Sequence, residues 1–166
     1  MEQPAGGTRK WDAGLRVSGT GGKSMGSAGV LRLPVRVYYQ DTDAGGVVFH
    51  AQYLAFMERA RTEYLNERGL DLARFVAESR VLFMVHGITV RYHRPAMLNE
   101  LLCVTAEVGS AGPASVVFEQ RVERASGLLV EARVRLALVD RESLRPVRMP
   151  ESLKRLLGKS KMKPMP

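Results

Sequence analysis

Two carboxylates, two adjacent glycines and a histidine fall between residues 41 and 50 of this 166-residue chain. They stand in the stretch Tyr38-Tyr39-Gln40-Asp41-Thr42-Asp43-Ala44-Gly45-Gly46-Val47-Val48-Phe49-His50. A positioned carboxylate can act as a nucleophile or as a general base on water. Glycines let the backbone approach a ligand without a Cβ in the way. If a helix begins just after the stretch, its first N–H groups are unpaired and carry the positive end of the helix dipole. Such amides can hold the oxyanion of an acyl transfer, where losing one donor costs about 3–4 kcal/mol. The stretch has no serine-centred nucleophile elbow, no neighbouring cysteine and no glycine loop ending in Lys-Ser/Thr. Read by residue type alone, Asp41 and Asp43 serve equally well as turn formers, since Asp bonds its own backbone locally. His50 could simply open a helix. An Asp-x-Asp pair offers a hard cation too few oxygens, so no metal is expected.

The flanking pattern supplies the elements that would position these groups. Leu33, Val35, Val37 and Tyr39 alternate as in a half-buried strand. Tyr53, Phe56, Met57, Ala60 and Tyr64 share one face of a helix. The motif is therefore strand, tight turn through Gly45-Gly46, and helix N-terminus. Gly69 is suited to cap that helix, and Asp71 to N-cap a short second one from Leu72 to about Ser79. Strands follow. Phe83, Val85 and Gly87 alternate with Met84, His86 and Ile88, and Val90 and Tyr92 lead to a break at Pro95. Leu102, Val104, Ala106 and Val108 make the next apolar face, then Val116, Phe118 and Val122, then Val130, Ala132, Val134, Leu136 and Leu138. A strand, a long helix and four further strands of period two predict an α+β domain, one helix packed on an antiparallel sheet. Pro146 and Pro150 close it, with a short helix expected over 152–157.

The net charge of +8 resembles a nucleic-acid signal until it is divided along the chain. Residues 1–30 hold four basic and two acidic groups, and residues 151–166 hold five and one. The central 31–150 hold sixteen and fourteen, and every one of those sixteen is Arg. A groove-reading domain would carry its charge on the folded body, so nucleic-acid binding is not expected. Residues 1–30 contain eight of the sixteen glycines and no hydrophobic period, which predicts a disordered extension. Met25, just before the domain, is an alternative initiator. The Lys-rich C-terminal tail is expected to be solvated, with at most peripheral contact to anionic lipid. Trimming to 30–150 is expected to leave the fold intact. No run approaches the roughly eighteen apolar residues of a membrane span, and no apolar leader is visible. With a lone Cys103, these features fit a cytoplasmic protein.

The stretch from Tyr38 through His50, continued by Ala51-Gln52-Tyr53-Leu54-Ala55-Phe56-Met57-Glu58-Arg59-Ala60-Arg61-Thr62-Glu63, resembles the signature of hotdog-fold acyl-CoA thioesterases of the 4-hydroxybenzoyl-CoA type. It is most similar to the bacterial subgroup associated with the Tol–Pal envelope system. The resemblance runs from about Leu31 to Pro150 and includes Tyr92-His93-Arg94-Pro95-Ala96. It implies one long central helix wrapped by a five-stranded antiparallel sheet, and hydrolysis of an acyl-CoA to free acid and CoA without a cofactor. It assigns Asp43 as the catalytic carboxylate and leaves Asp41 to shape the turn. It places His50 at the helix start, where its backbone N–H polarises the thioester, with the oxyanion held by amides around Val48, Phe49 and His50 and the turn made by Gly45 and Gly46. It also implies a homo-oligomer, a dimer or tetramer, joined through the strand near Phe83–Tyr92, and acyl carrier protein or lipid enzymes as partners. Glu58 is an outside candidate, since some hotdog thioesterases carry their acid on the helix; a side chain solvated or paired with Arg59 or Arg61 is the simpler role. His86, His93 and Cys103 are expected to be structural. Two rivals remain at this point: a non-catalytic hotdog scaffold that binds acyl groups or acyl carrier protein, and a hotdog dehydratase.

Overall fold

The computed structural model describes residues 29–157. The expected N-terminal extension, apart from its last two residues, and the Lys-rich tail from 158 onward lie outside the described residues. Five strands, β1 (Leu31–Arg36), β2 (Val81–Tyr92), β3 (Leu101–Ala111), β4 (Ser115–Arg124) and β5 (Gly127–Asp140), form one antiparallel sheet in the order β1-β3-β4-β5-β2. Three helices accompany them: α1 (Gln52–Glu67), α2 (Leu72–Ser79) and α3 (Glu151–Leu157).

The helix α1 forms where the apolar spacing calls for it. Tyr53, Phe56, Met57, Ala60 and Tyr64 are all buried, and Arg61 and Leu65 join them on that face. The helix ends at Gly69, whose φ of +81° suits a residue without Cβ, while Leu70 N–H reaches back to Leu65 O. As expected, Asp71 N-caps α2, its side chain accepting from Arg74 N–H at 3.0 Å. α1 packs chiefly on β3, with β1 and β4 to either side. Facing it are Leu102, Val104, Ala106 and Val108 of β3 and Val116, Phe118 and Val122 of β4, each at most 1% exposed. One polar strut crosses this core: Gln120 donates to Met57 O (2.9 Å) and accepts from the buried Arg61 guanidinium (2.7 Å).

Two expectations need correction. The first strand stops at Arg36, and Tyr39, 82% exposed, belongs to a 3-10 turn over Tyr39–Asp41. Asp41 needs that turn to bring its carboxylate back to Tyr38 N–H, as described below. The helix beyond Pro150, expected to lie outside the core, also packs on it. Leu153 and Leu157 of α3 are buried in the core, and Tyr64 OH donates to Leu157 O at 3.2 Å.

β2 contains a bulge between Val85 and Gly87. The extra residue, His86, explains a change of phase in the apolar pattern. Directly paired residues share a face. Phe83 and Val85 pair with Leu138 and Leu136, and Ile88, Val90 and Tyr92 pair with Val134, Ala132 and Val130. All five therefore lie on the helix side of the sheet, although their numbers switch from odd to even. Among the described residues, no helix is long and apolar enough to cross a membrane.

Candidate active site

The chain leaves β1, reverses at Asp43–Val47 and returns to enter α1. Asp41 anchors the base of this reversal. It is 2% exposed, and each carboxylate oxygen takes a donor: Oδ2 from Tyr38 N–H and Oδ1 from Gln52 Nε2, both at 2.8 Å. Its carbonyl accepts Phe49 N–H at 2.9 Å. Asp41 thus ties the end of β1 to the first residue of α1, the turn-shaping role expected of it.

Asp43 sits at the tip and is exposed. Its N–H donates to Val47 O (2.9 Å), its carbonyl accepts from Gly46 N–H (3.0 Å), and Thr42 bridges to Val48. Oδ1 is fixed by Gly45 N–H at 2.8 Å, a local bond typical of Asp in turns. Both glycines suit the turn. Gly46 has φ +74°, and a Cβ on Gly45 would stand 3.1 Å from Asp43 Oδ1. The result is a carboxylate with one oxygen oriented by an amide and its body open to whatever docks on the turn.

At the entry to α1 the expected set of amides narrows. Val48 N–H is taken by Ala96 O and Phe49 N–H by Asp41 O, both at 2.9 Å, so neither is free to hold an oxyanion. The N–H groups of His50 and Ala51 have no acceptor among the described residues. The helix proper starts two residues after His50, with Gln52 N–H closing a turn onto Phe49 O at 2.8 Å. The exposed His50 imidazole leans on the Phe49 ring, with centroids 4.3 Å apart. Around the turn lies a rim of exposed apolar side chains: Tyr38, Tyr39, Phe49, Tyr92, Met97 and Leu98.

The other candidates lie elsewhere. Glu58 is exposed on α1 and accepts from Thr62 Oγ1 at 3.1 Å. Of the two simpler roles, the solvated one fits: Arg61 turns inward to Gln120 and Arg59 sits 5.8 Å over the Phe56 ring. His86 occupies the β2 bulge, and His93 Nε2 lies 3.2 Å from Glu131 Oε1, an oxygen that Arg91 also contacts. Cys103 is half-buried on β3. No three or more His, Cys, Asp or Glu among the described residues gather as a metal site. Residue-type reasoning missed Tyr53, Tyr92 and Ala96. Tyr53 OH accepts Ala96 N–H at 2.8 Å, and burial pushes this hydroxyl above the ordinary tyrosine range, with the Ala96 bond opposing. Tyr92 OH donates to His50 O at 3.0 Å. The one signal for these partners was the segment from Tyr92 to Ala96, which ends a strand just before a proline.

Comparison with known proteins places this geometry. A model of the thioesterase superfamily matches residues 45–131, just over half of the chain. The chain is 45% identical over 121 residues to the acyl-CoA thioesterase YbgC of Haemophilus influenzae, covering 73% of this chain and 89% of that protein. It is 46% identical over 125 residues to the acyl-CoA thioester hydrolase YbgC of Escherichia coli, covering 75% and 92%. Among solved structures, the probable thioesterase of Bartonella henselae superposes with a TM-score of 0.70 at 32% identity, over 74% of this chain and all of that one. The five-stranded antiparallel sheet with its helices is the hotdog-type fold of these enzymes, and the chain belongs to the thioesterase superfamily.

Proposed function

We propose that this chain is an acyl-CoA thioesterase in which Asp43 is the nucleophile or general base and the free amide at the entry to α1 is the oxyanion donor. The observation that carries this reading is the contrast between bonded and open groups in one turn. Asp43 has one oxygen steadied by Gly45 N–H, and His50 N–H is left without an acceptor where the neighbouring Val48 and Phe49 amides are both used. The relatives named as acyl-CoA thioesterases supply the substrate class.

The chemistry follows from these groups. Asp43 either attacks the thioester carbonyl carbon or takes a proton from the water that does. The C=O electrons move onto oxygen, where the His50 N–H and the positive end of α1 hold the charge. Collapse expels the CoA thiolate, which takes up the proton Asp43 removed from water or, in the nucleophilic route, one from solvent; the exposed His50 imidazole is the candidate to assist it. If Asp43 is the nucleophile, water then opens the acyl-aspartyl anhydride and regenerates the carboxylate. A thioester is already activated, so no step calls on a cofactor.

The same reading includes self-association through β2. This twelve-residue strand is paired with β5 on one side only, and Met84, Val85, Ile88 and Tyr92 are exposed along it. Pairing with a second copy would remove an open edge and wall the surface turn on a further side.

Thiol release on a panel of short, long and aryl acyl-CoA substrates tests the activity, with Asp43→Asn as the decisive variant. Asn keeps the shape and the Gly45 bond but has no basic oxygen, so kcat should fall by at least about a hundredfold while acyl-CoA still binds. Asp41→Asn should be far milder, since a rotated Gln52 amide can meet the new NH2. A folded Asp43→Asn protein with near-normal turnover refutes the mechanism. Acyl-CoA binding by the parent protein without any hydrolysis would instead favour a scaffold.

A further inference from the structure

We infer that Tyr92 is a positioning residue for the oxyanion-binding entry to α1, a role that rests on the function proposed above. Its hydroxyl donates to the carbonyl of His50 at 3.0 Å. That carbonyl needs an outside donor. In a continuous helix the N–H four residues later would take it, but Leu54 N–H bonds Ala51 O instead. The phenol, arriving from the last residue of β2, fills the gap.

The consequence lies on the other side of the peptide. A trans peptide is planar, with C=O and N–H pointing in opposite directions. Holding His50 O therefore fixes the direction of Ala51 N–H. Phe49 O, held by Gln52 N–H at 2.8 Å, fixes His50 N–H in the same way. Ala51 has φ −73° and ψ −21°, already on the helical path, where successive N–H groups project from the same end. Two adjacent open amides thus have their opposite carbonyls satisfied. A bond accepted at a carbonyl also polarises its peptide and strengthens the donor across it. The phenol itself is well braced. Its ring meets Tyr53 edge-on, with centroids 5.9 Å apart, and Tyr53 is buried and bonded to Ala96 N–H. Ala96 O in turn holds Val48 N–H, so the segment running from β2 grips the turn both before and after Phe49.

The plain rival is that Tyr92 makes a surface hydrogen bond that adds a little stability and nothing to catalysis. Tyr92→Phe separates the two, because it removes the hydroxyl and leaves the ring on Tyr53. With the best acyl-CoA of the panel, kcat should fall about tenfold, less than deletion of an oxyanion donor because the amides remain but are less well aimed. KM should stay within about twofold, and oligomeric state and melting temperature should hold. The pH profile of kcat should keep its shape, since proton transfer at Asp43 is untouched. Unchanged kcat overturns the inference. So does a loss confined to KM, or a fall in turnover that merely tracks unfolding or loss of assembly. Asp43→Asn measured alongside keeps the two readings apart. An inactive Asp43→Asn with a fully active Tyr92→Phe refutes the positioning role alone, whereas an active Asp43→Asn refutes the mechanism beneath it.

Discussion

The two edges of the sheet are built differently. β1, at one edge, is six residues long, carries Pro34 in its middle and presents the exposed Arg32 and Arg36. Proline cannot donate to a ladder, and short charged strands discourage pairing with a stranger. β2, at the other edge, is twelve residues long with no proline, and most of it is exposed on both faces. Its one irregularity is the bulge at His86. β1 therefore reads as a protected end of the sheet and β2 as an open edge, the one proposed above for self-association. The turn that holds Asp43 is tied to both, through Tyr38 beyond β1 and through Tyr92 at the tip of β2.

The largest effect should come from denying β2 its neighbour. In an antiparallel strand successive N–H groups point to opposite edges, and the His86 bulge reverses the phase between Val85 and Thr89. One of these two N–H groups therefore faces β5 and the other the open edge. Proline at the position facing β5 should damage the sheet itself. Proline at the other should leave a folded protein that sediments as a monomer and has lost at least about a hundredfold in turnover, because an incomplete site loses its positioning. Two folded variants that both stay assembled and active, or a fully active monomer, would show that β2 is no interface.

At the covered side of the sheet the expected effect falls on stability. Ending the chain at Pro150 removes Leu153 and Leu157 from the core and the acceptor of Tyr64 OH. At about 2–5 kcal/mol for each buried leucine lost, denaturant melts should show a loss of about 4 kcal/mol or more. A trimmed chain that melts with the parent would mean that α3 contributes nothing to the core. The expected loss would confine the dispensable tail to residues beyond Leu157.

What was legible in the residues follows the physics of each element. The buried face of α1 was plain, since a 3.6-residue period over three turns has one reading. The four strands after it were equally plain, because alternation survives wherever one face is covered. The phase change in β2 was visible in principle: Phe83 and Val85 are odd, Ile88, Val90 and Tyr92 even, and one extra residue reconciles them. The fate of Asp41 was not. By type it matches Asp43, and only the meeting of Tyr38 N–H with Gln52 across the folded turn distinguishes buried anchor from open tip. Arg61 was illegible for a similar reason, since its acceptor Gln120 lies 59 residues away on β4. The α3 pattern was too short to separate a packed turn from a solvated one.

The smallest effect belongs to β1 and sharpens the contrast between the edges. Pro34→Val restores an N–H to the middle of the strand opposite Cys103 and suits the extended backbone. If proline alone blunted this edge, the variant would gain a template for pairing and form larger assemblies. Arg32 and Arg36 flank the site, however, and a second copy approaching edge to edge would bring its own arginines against them. Like charges directly opposed across strands are destabilising. The expected outcome is an unchanged sedimentation profile, turnover within about twofold and stability within about 1 kcal/mol of the parent, as for most surface substitutions. Assembly beyond the parent state would place the whole protection of β1 on one proline. Sedimentation repeated at high salt, which screens the arginines, then asks whether charge was sharing that task.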